Sequence, residues 1–165
     1  LFRSNEGLMC SPDMWYKFIF PAHKRLIDGL KNAGGLDFPV ILHSDGNITA
    51  IFQWLCESGI DGINPIQPDA LDFESVVKII GNHLCFVGVF DLRYFLKPLT
   101  PEVEVAMKGE IDRLINIIDR YNQQGNHAGF CIGPTHQVQP GSYVETYERW
   151  VQLVHEANMT QNLHH

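Results

Sequence analysis

The sequence predicts an α/β fold built from parallel β/α units. Four short apolar runs, each too brief for a helix, alternate with longer segments whose apolar residues recur every three to four positions. Glycine, proline or asparagine stands at most of the boundaries. Strands that are apolar along their whole length are typical of a parallel sheet covered by helices.

The first predicted element is a helix over residues 11–34. Ser11 can act as a hydroxyl N-cap, Pro12 suits the first helical position, and Asp13 places an acid in the first turn. The apolar spacing continues to the glycine pair at residues 34–35. Because Pro21 lacks a backbone N–H, we expect it to bend or divide this helix.

The remaining elements alternate strand and helix. A strand over residues 38–43 precedes a helix over residues 48–58, which Asn47 can cap and Gly59 can end. A short helix is expected after the third strand. The other predicted strands cover residues 62–66, 84–90 and 128–133, and the other predicted helices cover residues 72–80, 101–121 and 143–156.

Two architectures fit this alternation of strands and helices, a small doubly wound sheet or part of a (β/α)8 barrel. No G-x-G-x-x-G and no G-x-x-x-x-G-K-[ST] occurs, which disfavours a dinucleotide or P-loop site. Four strands cannot close a (β/α)8 barrel of about 250 residues. We therefore predict the C-terminal half of a TIM (β/α)8 barrel, with residues 1–165 forming a single partial domain and residues 163–165 compatible with a tag remnant.

Composition restricts the function classes. The 165 residues are 45% hydrophobic and 19% charged, which argues against disorder and coiled coils. The net charge of −7 disfavours nucleic-acid binding, and no apolar run approaches the ~20 residues of a membrane span. The first residues lack the order of a signal peptide and an initiator methionine, which suggests a cytoplasmic chain cut from something longer.

The four cysteines lie far apart and form no C-x-x-C pair. This spacing disfavours a disulfide framework or a zinc ribbon. We therefore expect reduced thiols packed in the core, Cys131 among them.

Active sites of such folds lie at the carboxyl ends of the strands, and the first strand ends in His43 and Asp45. Side chains two residues apart in an extended segment point the same way. The two are therefore candidate catalytic residues, as a His–Asp proton-transfer pair or as part of a zinc site. Alternatively, Asp45 and Asn47 satisfy turn and cap hydrogen bonds while His43 packs beneath the loop.

The other strand ends supply four candidate substrate-binding residues. Asn64 and Gln67 can hold a polar substrate group, although prolines 65 and 68 also fit a loop that is merely rigid. Asp91 is a pocket acid or the cap of the next helix. His43 and His136 are the two histidines that lie at the carboxyl end of a predicted strand.

The sequence does not support a Schiff-base aldolase, a serine hydrolase or a zinc protease. No lysine lies on a predicted strand, and neither G-x-S-x-G nor H-E-x-x-H occurs. The tryptophans fall on helices and are expected to pack. Four histidines away from the predicted active end are expected to be structural or solvated, namely His23, His83, His127 and His155.

The order of five landmarks resembles the uroporphyrinogen decarboxylase superfamily. No single landmark is decisive, and Val103 departs from the acid that is usual there. The resemblance extends from about residue 7 to residue 156, and its landmarks are Ser11-Pro12-Asp13, the run at residues 39–47, Gly59-Ile60-Asp61-Gly62, Gly88-Val89-Phe90-Asp91 and Thr100-Pro101-Glu102.

The resemblance implies a (β/α)8 barrel to which this chain supplies the last four strands. The superfamily contains tetrapyrrole decarboxylases and corrinoid-linked methyltransferases, and its thiol-dependent methyltransferases bind zinc through His-x-Cys and a later Cys. Here His43 is kept and Asp45 takes the first Cys position. An alignment on Val138 and Pro140 places His136 at the second. The implied metal ligands are thus His43, Asp45 and His136, holding zinc, another divalent ion, or no metal.

The resemblance favours the methyltransferase-like branch, which moves a methyl group between a corrinoid and an acceptor. It implies a small-molecule or tetrapyrrole substrate, a corrinoid-protein partner, the missing N-terminal half of the barrel, and a homodimer as an option. The alternatives are a tetrapyrrole decarboxylase, which lacks its N-terminal arginines and aspartate here and keeps only Arg93 near a strand end, or an inactive half-barrel.

Overall fold

The computed structural model describes residues 3–4, 7–34 and 38–161, so the predicted tag remnant lies outside the described residues. One four-stranded parallel sheet has the order β3-β4-β5-β6, and a short antiparallel hairpin, β1-β2, precedes it. The hairpin was not predicted, since two-residue strands carry no periodic pattern. The strands are β1 Arg3–Ser4, β2 Gly7–Leu8, β3 Ile41–His43, β4 Gly62–Asn64, β5 Cys85–Val87 and β6 Phe130–Cys131.

Helices alternate with the sheet strands, as predicted for a partial TIM-barrel-like unit. The last helix runs past its predicted end at residue 156, because no glycine or proline interrupts it. No helix in the described ranges is long and apolar enough to cross a membrane. The α-helices are α1 Pro12–Met14, α2 Phe20–Gly34, α3 Phe52–Ser58, α4 Phe73–Ile80, α5 Pro101–Asn122 and α6 Val144–Gln161, and the 3₁₀ turns are Thr49–Ile51 and Leu92–Leu96.

The first helix is divided, as Pro21 predicted. Ser11 caps α1 by accepting a 3.2 Å hydrogen bond from the Met14 amide. A π-helical turn over Trp15–Ile19 then joins α1 to α2, and the amide of Phe20 donates to the carbonyl of Trp15. The wide turn ends two residues before Pro21, which has no N–H to continue a regular ladder.

The sheet strands are shorter than predicted, because at their ends the backbone N–H group is bonded to a side chain or is absent at a proline. The amide of Val40 donates to the Asp61 carboxylate at 2.7 Å rather than to a neighbouring strand. Lys31 holds the other Asp61 oxygen at 2.8 Å. On the next strand, Pro65 cannot donate to the ladder, and β4 ends at Asn64.

One face of the sheet carries the core. Ile63 and Phe86 are paired across β4 and β5 and are at most 1% exposed. Phe73 of α4 packs edge-to-face on Phe86, with ring centroids 5.4 Å apart. Leu42 and Phe130 occupy the same layer on the outer strands and are packed against this core. The helices therefore cover this face and fix the register of the sheet.

The opposite face is exposed, and this corrects the prediction for the cysteines. Ile41 is 49% exposed, and Cys85 and Cys131 are exposed as well. Alternation along each strand places these side chains on the face that the described helices do not cover. Cys131 was predicted in the core because strand periodicity does not reveal which face is covered.

Cys131 should react with iodoacetamide well before Cys56. Cys131 is exposed, whereas Cys56 is half-buried and its burial raises the pKa of the thiol, which leaves less reactive thiolate. Mass spectrometry of peptides from briefly alkylated protein measures the order. In guanidinium the two residues should react at equal rates. Slow labelling of Cys131 in the native protein would contradict an exposed sheet face.

Candidate functional site

The register of the parallel strands brings His43 and Asn64 together at the carboxyl edge of the sheet. The two residues are direct cross-strand partners, and His43 Nδ1 lies 2.7 Å from Asn64 Oδ1. The Asn64 Nδ2 group donates to the Val87 carbonyl at 2.9 Å, which leaves Oδ1 as the acceptor facing the imidazole. His43 therefore carries its proton on Nδ1, and Nε2 keeps a free lone pair.

A glycine makes room for the Asn64 amide. Gly88 has φ +71°, in the left-handed region that favours glycine. A Cβ at this position would lie 2.5 Å from Asn64 Nδ2 and 3.0 Å from the Pro134 carbonyl oxygen. Any larger residue would therefore displace Asn64 and with it the partner that orients His43.

Asp45 lies between the two strand-end histidines. One Asp45 oxygen, Oδ1, is 3.6 Å from His43 Nε2 and 3.2 Å from His136 Nε2. His136 arrives from the loop after β6, near the point where Phe90 and Pro134 form a parallel bridge. The His43 side chain is 60% exposed, whereas those of Asp45 and His136 are 29% and 31% exposed. The cluster is thus recessed on one side and open to solvent at His43.

Gln67 orients the other side of the cluster. Its Oε1 accepts a hydrogen bond from the Gly46 amide, so its Nε2 group is the donor toward His136. That nitrogen lies 2.9 Å from His136 Nε2, which accepts through its one lone pair, so a metal ion at this atom would displace the hydrogen bond from Gln67. Asn64 and Gln67, predicted to bind substrate, are therefore placed by the structure as hydrogen-bond partners of the two histidines.

The three residues have a geometry that fits a metal ion. One ligand atom from each of His43, Asp45 and His136 lies within 4.8 Å of the others. Zinc–ligand bonds of about 2.0–2.1 Å in a tetrahedron separate neighbouring ligands by about 3.3 Å. The two separations from Asp45 Oδ1, 3.6 Å to His43 Nε2 and 3.2 Å to His136 Nε2, bracket that value. Three protein ligands with an open side are typical of catalytic rather than structural zinc sites.

Asp91 is held in an ion pair and a cap. Its Oδ1 accepts from the Arg93 amide at 2.9 Å, and the Arg93 guanidinium donates to both carboxylate oxygens. Arg93 also lies 2.9 Å from Asp69. Burial opposes ionisation of Asp91, but the hydrogen bonds and charge of Arg93 outweigh it, so the pKa of Asp91 lies below its ordinary value. Of the two roles predicted for Asp91, the structure displays the cap.

A cavity beside His43 is lined by His23, which was expected to be structural or solvated. The cavity has a volume of about 260 Å³, and His23 of α2 and Ser44 line it together with His43. His23 was expected to lie away from the active end. Its four-residue spacing from Ile19 and Ile27 on the apolar stripe of the helix was the signal that it faces inward.

The fold and the strand-end cluster can now be set beside known proteins. The chain matches the family model for uroporphyrinogen decarboxylase (URO-D) over residues 1–157. A methyltransferase from Methanosarcina mazei shares the fold with a TM-score of 0.62 at 17% sequence identity. That match covers 90% of this chain and 38% of the methyltransferase. No curated protein sequence matches the chain significantly.

The class of protein follows from the family match, since it spans nearly the whole chain. The chain belongs to the URO-D family, as its sequence landmarks predicted. At 17% identity the likeness to the methyltransferase concerns the fold alone. The chain spans 38% of the length of that methyltransferase.

Replacing Asp91 by Ala should lower the free energy of unfolding by about 1–2 kcal/mol, through loss of the cap and of the charge-assisted bonds to Arg93. Because the pKa of Asp91 is lower in the folded state, its contribution is present above the ordinary carboxyl pKa of 3.8 and is lost as the pH falls below it. Urea unfolding of both proteins at pH 7 and pH 3 measures the effect.

The matched control for that prediction is Asp69→Ala, which removes the more exposed partner of Arg93. An exposed ion pair contributes about 1 kcal/mol or less, so this variant should be nearly neutral. A stability of Asp91→Ala equal to that of the unmodified protein at pH 7 would leave Asp91 without the structural role assigned here.

Proposed function

We propose that this chain supplies the metal-binding part of a methyl-transferring enzyme of the URO-D family. The observation that carries the proposal is the convergence of His43, Asp45 and His136 at the carboxyl edge of the sheet. A methyltransferase of the same fold supports this branch of the family. The reaction proposed is movement of a methyl group between a corrinoid and a small-molecule acceptor.

The residues divide into ligands and positioning groups. His43, Asp45 and His136 would hold the ion, for which zinc is the favoured identity. Zinc bound by these residues would lower the pKa of an acceptor thiol, so that a thiolate would be present at neutral pH. Asn64 keeps the Nε2 lone pair of His43 pointed toward Asp45. Gln67 donates to the same His136 nitrogen and accepts from the Gly46 amide, and an ion bound at that nitrogen would replace the Gln67 hydrogen bond to His136.

The three candidate ligands of this chain differ from the one imidazole and two thiolates that bind zinc in the thiol-dependent methyltransferases of the superfamily. Two imidazoles and one carboxylate carry a single negative charge, so the bound ion keeps more of its positive charge than it would beside two thiolates. These harder ligands also suit divalent ions other than zinc. The acceptor that such a centre activates therefore extends beyond thiols to oxygen or nitrogen nucleophiles.

The exposed sheet face supports a role as one half of a barrel. Ile41, Cys85 and Cys131 lie on a face of the parallel sheet that the described helices leave open. Parallel sheets in proteins are normally covered on both faces. We propose that the remaining β/α units of a (β/α)8 barrel cover it, and that a corrinoid protein approaches the carboxyl edge of the strands.

Tetrapyrrole decarboxylation is the competing function within the family. Arg93 is the arginine that the sequence places near a strand end, and it is engaged by Asp91 and Asp69. A substrate with several carboxylates would have to compete with these acids for the guanidinium. This pairing favours methyl transfer for the described part of the chain.

Zinc titration of metal-free protein tests the centre. We expect about one zinc per chain, with binding lost in Asp45→Ala and weakened about 10- to 100-fold in Asn64→Ala, because Asn64 orients a ligand without being one. Isothermal titration calorimetry of protein without a histidine tag gives both affinities. The control is His127→Ala, which removes an exposed histidine and should bind zinc normally. Equal zinc binding by Asp45→Ala would rule out this ligand set.

Methyl transfer should fall by about 100-fold or more in His43→Ala, because loss of a ligand removes the activation of the acceptor. The assay follows demethylation of methylcobalamin by its absorbance, in the complete barrel that contains this chain. Asp28→Ala, a change to an exposed acid paired with Lys24 on α2, should leave the rate unchanged. Unaltered transfer by His43→Ala would exclude the site. Absence of zinc from both the unmodified protein and Asp45→Ala would favour tetrapyrrole decarboxylation or metal-free methyl transfer.

A further inference from the structure

A cavity of about 260 Å³ lies between the divided first helix, α3 and the end of β3. Most of its wall is apolar, and Trp15, Ile19 and Leu55 are among the contributing side chains. The Trp15 ring stacks on Trp54 at a centroid distance of 6.0 Å, which makes this wall rigid. An engineered apolar cavity of about 150 Å³ binds benzene, so the present volume accommodates a substituted ring.

The polar atoms of the cavity are few and specific. Three of the described lining residues, His23, His43 and Ser44, are polar, and none of the described lining residues is Asp, Glu, Lys or Arg. His23 Nδ1 is buried and has no hydrogen-bond partner within the described part of the chain. Buried polar groups in proteins are normally hydrogen-bonded, so this atom is a candidate contact for a ligand.

The same histidine excludes an anionic ligand. Burial lowers the pKa of His23, so its imidazole is neutral at neutral pH and offers a hydrogen bond without a charge. The ring also packs edge-to-face against Trp15, with centroids 6.1 Å apart, which fixes its position in the wall. A carboxylate or sulfonate entering this apolar space would lose its hydration without a compensating cation.

We propose that this cavity binds a small, uncharged, mainly apolar molecule that carries one hydrogen-bonding group directed at His23 Nδ1. The size and chemistry fit a ring of the methylphenol class. His43 belongs both to the cavity wall and to the strand-end cluster, so a molecule seated here has one end beside that cluster. The binding site rests on the cavity and does not require the proposed function.

Three probes of one shape test the chemistry of the site. 4-Methylphenol has the hydroxyl, toluene lacks it, and 4-methylbenzenesulfonate replaces it by a charge. Binding to metal-free protein is followed by the combined fluorescence of Trp15 and its stacked neighbour Trp54 in a Trp150→Phe background, since Trp150 is buried in a different aromatic cluster. We expect 4-methylphenol to bind about 2- to 10-fold more tightly than toluene, in line with one hydrogen bond, and the sulfonate not to bind.

Two variants distinguish specific binding in the cavity from nonspecific hydrophobic binding to the protein. His23→Leu should lower the affinity for 4-methylphenol to that for toluene and leave toluene binding unchanged. Leu55→Phe should fill the cavity and abolish both. His83→Leu, the same change at an exposed histidine, should alter neither. Failure of 4-methylphenol to bind, or equal binding by the unmodified protein and His23→Leu, would overturn the proposal.

The same titration in Asp45→Ala distinguishes this inference from the proposed function. Asp45 is outside the set of residues that line the cavity. Binding of 4-methylphenol by Asp45→Ala, together with absent zinc binding by the unmodified protein, supports the cavity and removes the metal centre. Zinc binding by the unmodified protein without 4-methylphenol binding supports the centre and overturns the cavity.

Discussion

The side-chain amide of Asn64 is the interaction on which the rest of the candidate site depends. It accepts from His43 on β3 and donates to the Val87 carbonyl on β5, so one group spans three neighbouring strands. The absence of a side chain at Gly88 makes this position of the amide available. Because both amide atoms are engaged, the tautomer of His43 follows, and with it the direction in which its free nitrogen points.

The sheet itself imposes the second constraint. One face buries Ile63 and Phe86 beneath the helices, and this burial fixes the register that aligns His43 with Asn64. The other face leaves Ile41 and Cys131 exposed. A parallel sheet gains most of its stability from burial on both faces, so the same geometry that positions the site favours association with further β/α units.

The element order was predictable because each boundary carries local chemistry. Ser11 and Asp91 cap helices where the sequence placed candidate caps, and the π-helical turn ends two residues before Pro21. Strand lengths were less predictable, since the Asp61 carboxylate takes over the amide of Val40 through a contact distant in sequence. Local patterns report backbone preferences and do not reveal such long-range partners.

By itself, the sequence determined the α/β class, the family landmarks and the placement of His43, Asp45 and His136 at strand ends, because periodicity and turn chemistry are local properties. Only the tertiary structure decided the distances among these three residues and the inward position of His23. It also decided the exposure of Cys131. The physical reason is that covered faces, cavities and converging side chains arise where segments distant in sequence pack together. The local pattern of one segment does not specify which distant segment will pack against it.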